Sequence, residues 1–230
     1  MNIFNSDNYV DKKIKNGGKK MMKKRKVTLI VAIIILIAAI IFAATRLLGG
    51  GAGVYIDNKP EQEVKGNNNT LVAYFSWSGH GQQMARWISD ETGADLFRIV
   101  PGESYGEDYN ACADRAKNEL DNGIRPELAE HIDANTMAQY DTIYLVFPVW
   151  WYDLPMPVWT FLEEYNLAGK TIIPCFSHNG SSSGANSLNR VAELAKGANV
   201  RTGDALSISG NSVANSEKEI RDWAKSVLNK

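Results

Sequence analysis

Between residue 70 and the end of the chain, five short apolar runs alternate with five helical patterns, and this alternation limits the fold more than any other feature of the sequence. The apolar runs are residues 71–76, 95–100, 142–147, 171–176 and about 205–209. The helical patterns are residues 82–92, 109–120, 158–165, 185–196 and 216–228. Strands that alternate with helices form a parallel sheet covered on both faces, and right-handed crossovers leave few topologies. We therefore predict an α/β fold with a doubly wound, five-stranded parallel sheet.

A charge-free apolar segment, residues 27–44, precedes this pattern. As a helix its 18 residues would span roughly 27 Å, close to the hydrocarbon thickness of a bilayer. Nine Lys/Arg residues lie before the segment and only Arg46 lies immediately after it, so the positive-inside rule places the N-terminus in the cytoplasm. We predict a single-pass anchor of the cell membrane at residues 27–46, with the domain on the extracytoplasmic side. A cleaved signal peptide is the alternative, since Ala43 and Ala44 permit cleavage.

Charge and composition divide the rest of the chain. Residues 1–46 contain ten Lys/Arg and two Asp/Glu, whereas residues 47–230 contain 15 and 24. Residues 1–26 are thus a basic cytoplasmic tail, residues 47–69 have the Gly- and Asn-rich composition of a flexible linker, and residues 70–230 form the globular domain. Membrane topology explains the basic tail, so we expect no nucleic-acid partner. The acidic excess of the domain either guides docking to a basic partner or serves solubility.

The chain has two cysteines, Cys112 in a helical pattern and Cys175 in an apolar run. Without a Cys-x-x-Cys spacing, neither a zinc site nor a dithiol redox motif is predicted. We expect two buried free thiols, with a disulfide as the alternative outside the cell.

Ligands of open parallel sheets bind at the carboxyl ends of the strands, where the strand order reverses, and this directs attention to three loops. The first loop, residues 76–81, contains Ser76, Ser78, Gly79 and Gly81 just before a predicted helix. Backbone N–H groups at a helix start bind anions, and serine hydroxyls add donors. The lysine of a triphosphate loop and the dinucleotide glycine pattern are both missing. The loop predicts a site for one terminal phosphate, or else an ordinary tight turn.

The second and third loops supply ring contacts and polar groups. Residues 148–155 include the consecutive aromatics Trp150, Trp151 and Tyr152, of which at least one should face solvent or a ligand because neighbouring side chains alternate along an extended segment. Residues 177–184 are rich in Ser, Asn and Gly and offer hydrogen bonds to the edge of a heterocycle. Together the three loops predict a mononucleotide with a large flat ring.

Three segments, YFSWSGHGQQMA, DTIYLVFPVWWYDLPMPVWTFLE and IIPCFSHNGSSSG, resemble segments of the flavodoxin-like proteins in order and spacing, over about residues 70–229. The resemblance implies the short-chain form of a parallel sheet of order 2-1-3-4-5 that binds FMN noncovalently. The cofactor-binding residues that it implies are Ser76, Trp77, Ser78, Gly79, His80 and Gly81 at the phosphate, Pro148, Val149, Trp150, Trp151 and Tyr152 beside the isoalloxazine ring, and Ser177, His178, Asn179 and Gly180 at its other edge.

Two positions depart from the family pattern, which usually has Thr or Ser at Gly81 and Asn at His80. A missing hydroxyl would remove one phosphate hydrogen bond, worth about 0.5–1.5 kcal/mol.

Three functions are compatible with these features. The first is a membrane-anchored FMN protein that carries electrons between redox partners, either redox proteins or small-molecule donors and acceptors, with no catalytic residue assigned. The second is an FMN-dependent NAD(P)H or quinone reductase of the same fold. The third is a non-redox binding module that has lost FMN, which Gly81 keeps open.

Overall fold

The structure, a computed structural model, describes Val64, residues 69–180 and residues 182–228. The predicted tail, the anchor and nearly all of the linker lie outside the described residues. Among the residues that are described, no helix combines the length and the apolar character needed to cross a membrane.

Strands and helices alternate along the described chain, close to the predicted bounds. The strands are β1 (Thr70–Tyr74), β2 (Asp95–Arg98), β3 (Thr142–Pro148), β4 (Thr171–His178), β5 (Asn199–Val200) and β6 (Leu206–Ser209). The helices are α1 (His80–Thr92), α2 (Tyr109–Asn122), α3 (Ala134–Ala138), α4 (Met156–Glu164), α5 (Ala185–Leu194) and α6 (Glu217–Leu228). Two 3-10 helices, Thr202–Asp204 and Gly210–Asn215, flank β6.

All strand pairs of the sheet are parallel, in the order β2-β1-β3-β4-β5, and β6 also pairs with β4. The predicted order 2-1-3-4-5 is therefore confirmed, whereas the prediction of five strands is wrong, because the fifth position is filled by two short strands. β5 pairs with the start of β4 and β6 with its end, and the five residues 201–205 lie between them.

Pro174 in the middle of β4 accounts for the place of this interruption. Thr171 donates to Asp141 and Ser177 accepts from Val149, so the odd-numbered residues of β4 face β3, whereas the carbonyl of Ile172 accepts from Arg201 on the other side. By this alternation, the backbone nitrogen of Pro174 faces β5 and β6, on the side where residues 201–205 do not belong to a strand. A proline lacks an N–H and is tolerated where no ladder bond is needed.

Helices cover both faces of the sheet, as a doubly wound fold requires. Leu71 and Ala73 of β1 belong to a core shared with α2, α4 and α5. Val72 and Tyr74 point to the opposite face, where α1 and α6 pack. The two cysteines are buried and free, which confirms the prediction made for them.

Candidate functional site

The first predicted loop joins β1 to α1 and turns at Gly79. Gly79 has a φ of 87°, a left-handed conformation that suits glycine, and its N–H donates to Oγ of Ser76 at 3.1 Å. Ser78 and His80 are half-buried. No side chain caps α1 at Gly79, and the first turn contains no acidic residue. The N–H groups of His80 and Gly81 thus lie at the positive end of the helix, an arrangement that suits a phosphate.

Gly81 is glycine for a steric reason. A Cβ built on Gly81 would lie 2.8 Å from the carbonyl oxygen of Phe75 and 3.2 Å from Cβ of Ser76. Real Cβ atoms essentially never approach a carbonyl oxygen within 3.0 Å, so any side chain here would force the loop to shift. In this loop the backbone approach excludes the hydroxyl that the resemblance leads us to expect.

The aromatic residues of the second loop form a tight turn after β3. The N–H of Trp150 donates to the carbonyl of Asp153 at 3.1 Å, and the N–H of Asp153 donates to the carbonyl of Trp150 at 2.8 Å. Trp151 and Tyr152 are therefore the central residues of a two-residue hairpin, and both have positive φ, 48° and 65°. Type I′ turns require this conformation and usually contain Asn or Gly. Such strain costs on the order of 1–3 kcal/mol per residue and is concentrated at functional sites.

Contacts from two helices hold this hairpin, residues 150–153, in place. Nε1 of Trp151 donates to the carbonyl of Ala113 in α2 at 2.9 Å. The carboxylate of Asp153 contacts Arg190 of α5 at 3.4 Å. Trp151 is 44% and Tyr152 56% exposed, which confirms that at least one of these aromatic side chains faces outward.

The third loop begins at the end of β4 and is tied to the second. Ser177 is buried, pairs in register with Pro148, and accepts the N–H of Val149 at 2.8 Å. Nδ1 of His178 accepts the N–H of Gly180 at 2.9 Å, and this bond requires that the neutral ring carry its proton on Nε2.

All three loops meet at the carboxyl edge of the sheet. Phe75, directly before the first loop, packs edge-on against Trp150 with ring centroids 5.1 Å apart. The first and third loops meet at Gly210, after β6, where a Cβ would lie 3.2 Å from Nδ1 of His80 and 3.3 Å from Oδ1 of Asn179. Burial lowers the pKa of His80, because desolvation disfavours the charged ring.

The segment between β2 and α2 borders the first loop and was not among the three predicted loops. Nε1 of Trp77 donates to the carbonyl of Gly106 at 2.8 Å. Tyr105 packs edge-on against Phe75 and Trp150, with centroid distances of 6.1 and 5.2 Å. The available signal was a Pro-, Gly- and Ser-rich run after β2, but the strand-order rule pointed only to the loops after the first, third and fourth strands.

A half-open cavity of about 200 Å³ lies between the first loop and this segment. Of the predicted site residues, only Ser76 and Trp77 line it; Arg98 and Tyr105 line it from the β2 side. This cavity therefore lies on the β2 side of the first loop.

The two thiols take no part in this site. Burial raises the pKa of Cys112 to about 11 and raises that of Cys175 further above the usual range. Reactive cysteines have lowered pKa values, so both side chains act as packing groups.

This geometry is accompanied by a match to a known family. Residues 69–227 match the model of the flavodoxin family. The chain belongs to the flavodoxin family. No curated protein matches it.

Solved structures agree with this membership. A candidate flavoprotein from Bacteroides uniformis is 31% identical, with 69% of this chain and 98% of that chain covered and a TM-score of 0.59. Another from Bacteroides eggerthii is 29% identical, with coverage of 71% and 100% and a TM-score of 0.58. A flavoprotein from Lactobacillus acidophilus in complex with FMN is 25% identical, with coverage of 65% and 98% and a TM-score of 0.50.

Proposed function

We propose that this flavodoxin-family chain binds FMN noncovalently at the carboxyl edge of its sheet and carries electrons between redox partners. The observation that carries the proposal is that the uncapped start of α1 and the strained aromatic hairpin lie at one edge, linked by the packing of Phe75 on Trp150. The similar protein from Lactobacillus acidophilus, whose structure contains FMN, supports the choice of ligand.

In this proposal the first loop holds the phosphate with neutral donors. The N–H groups of His80 and Gly81 and the hydroxyl of Ser76 supply hydrogen bonds, and the dipole of α1 supplies positive potential. One terminal phosphate can be bound in this way without a lysine or arginine in the loop.

The hairpin and the third loop would hold the ring. Trp151 and Tyr152 have exposed aromatic side chains, and offset stacking on a planar ring contributes about 0.5–1.5 kcal/mol beyond burial. The bound flavin would supply the redox chemistry, while these residues orient it and limit its contact with water.

Titration of the full-length protein, purified in mild detergent, with FMN tests the binding step. We expect quenching of flavin fluorescence that saturates at one FMN per chain. A protein that leaves the fluorescence of added FMN unchanged would contradict the proposal.

The carrier role rests on the position of Trp151 and Tyr152 at the protein surface, because a ring stacked on them would lie within reach of a redox partner. Anaerobic mixing of the FMN-loaded protein with NADH or NADPH separates a carrier from a reductase. A carrier should be reduced slowly without a partner protein, whereas rapid reduction would identify the reductase.

The steric explanation for Gly81 offers a cause for the glycine other than a loss of FMN binding. The non-redox alternative relies on the missing hydroxyl, and the carbonyl of Phe75 occupies the space that a side chain at Gly81 would need. The FMN titration above distinguishes the two functions.

The proposed carrier is attached to the membrane by residues 27–46, with residues 70–230 outside the cytoplasm. The charge-free segment and the basic residues before it support this part of the proposal. Protease added to intact cells should release the domain by cutting within residues 47–69, and protection of the domain would contradict this orientation.

A further inference from the structure

A buried carboxylate outside the three loops is linked to the aromatic residues of the site. Glu119 of α2 is only 4% exposed. One of its oxygens accepts the hydroxyl of Tyr105, and the other accepts Nε of Arg115 at 2.8 Å. A buried carboxylate requires such partners, and here both oxygens have one.

Arg115 attaches the same segment to α2 by a second route. Its guanidinium lies 4.2 Å over the ring of Tyr105. Its Nη1 donates to the carbonyls of Glu103 and Ser104 at 3.2 and 2.9 Å. Arg115 therefore holds the loop that precedes Tyr105 through its backbone carbonyls. The Tyr105 ring is held by Glu119 at its hydroxyl and by Arg115 over one face.

The network is suited to orienting Tyr105, because apolar residues of similar volume could supply comparable stability. Buried ion pairs are often exchanged for apolar residues of similar volume without loss of stability, whereas breaking one member leaves a buried charge without a partner. Apolar packing around Tyr105 would hold the ring with less directional control than a hydrogen-bonded hydroxyl does.

The ring that is oriented in this way contacts the hairpin. Tyr105, Phe75 and Trp150 pack edge-on against one another, with centroid distances of 5.1 to 6.1 Å. The next residue, Trp151, is bonded to the carbonyl of Ala113. α2 thus supports two successive residues of the hairpin, one through Tyr105 and one directly.

We propose that Glu119, acting through Tyr105, positions Trp150 and the strained hairpin for the flavin ring. Glu119 and Tyr105 are positioning residues that lie outside the three loops. The inference rests on the FMN site proposed above.

The test compares Tyr105→Phe and Glu119→Gln with a matched control, Tyr140→Phe. Like Tyr105, Tyr140 is buried, and its hydroxyl donates to a carboxylate, that of Asp95, at 2.7 Å. Asp95 begins β2, so the control pair lies at the amino edge of the sheet, away from the site. The full-length variants are titrated with FMN, and visible circular dichroism of the bound flavin and thermal unfolding are recorded.

Tyr105→Phe and Glu119→Gln should weaken FMN binding about 3- to 10-fold, on the order of 0.7–1.4 kcal/mol, and should alter the circular dichroism of the bound flavin. Tyr140→Phe should lower the unfolding temperature but leave the Kd within about twofold of wild type, since a twofold change is only about 0.4 kcal/mol. If Glu119→Gln fails to fold, Tyr105→Phe still decides the question because it keeps the packed ring.

An unchanged Kd and circular dichroism in Tyr105→Phe would overturn the inference while leaving the FMN site intact. An equal loss of FMN binding in Tyr140→Phe would also overturn it, because the effect would then be one of general stability. A wild-type protein that takes up no FMN would overturn the proposed site itself.

Discussion

Restoring a side chain at Gly81 should damage the first loop rather than improve phosphate binding. The family pattern places a hydroxyl at this position, so Gly81→Ser would be the obvious way to tighten FMN binding. The structure predicts the opposite result, because a Cβ would lie 2.8 Å from the carbonyl oxygen of Phe75, a backbone atom that cannot move aside alone.

The cost of the steric clash should exceed the stability gained by replacing a glycine. Overpacking of this kind typically costs about 1–3 kcal/mol. Replacing a glycine within a helix returns at most about 0.5–1 kcal/mol, and less in a first turn. We expect Gly81→Ala to lose about 1–2 kcal/mol in the free energy of unfolding, which for a domain of this size lowers the unfolding temperature by roughly 2–8 °C.

Gly81→Ala and Gly81→Ser together separate the two effects. Both introduce the Cβ, and only the serine adds a hydroxyl, so the ratio of their FMN dissociation constants isolates the hydroxyl. We expect both to bind FMN more weakly than wild type, as measured by fluorescence titration, and to unfold at lower temperature by calorimetry. A Gly81→Ser protein that is as stable as wild type and binds FMN more tightly would refute the steric argument.

Three further predictions test the fold and the site. Gly184→Ala should lower the unfolding temperature more than Gly180→Ala, since both have positive φ but only the first would place a Cβ within 2.3 Å of the Phe176 ring. Pro174→Ala should lower the free energy of unfolding in urea by about 1–3 kcal/mol, because the restored N–H is buried and faces the interrupted side of the sheet. Burial lowers the pKa of His80; the unfolded chain then takes up the proton first as pH falls below about 6.5, and stability decreases. His80→Gln should remove that part of the acid sensitivity, which urea unfolding at pH 7.5 and 5.5 would reveal.

The sequence was informative wherever a single side-chain pattern decided the structure. The apolar runs located β1 to β4, and the small residues from Ser76 to Gly81 located the turn into α1. The resemblance supplied the strand order, which follows from tertiary packing and leaves no local signal. α3 was missed because its five residues are too few to show a helical period.

The contacts that hold the hairpin, and its turn conformation, could not be predicted from the sequence, for two physical reasons. A buried Glu119 has the same helical period as a solvated glutamate, so only its partners reveal its role. Trp151 and Tyr152 carry no turn signal, because positive φ normally selects Asn or Gly, and their conformation is imposed by contacts with α2 and by the paired backbone of Trp150 and Asp153.

The comparison of FMN with riboflavin tests the central claim most directly, since the two ligands differ only in the phosphate. If the first loop holds that phosphate by charge-assisted hydrogen bonds, worth about 1.5–3 kcal/mol, FMN should bind one to one and at least about 10-fold more tightly than riboflavin. Equal affinity for the two flavins, or no uptake of either, would contradict the account.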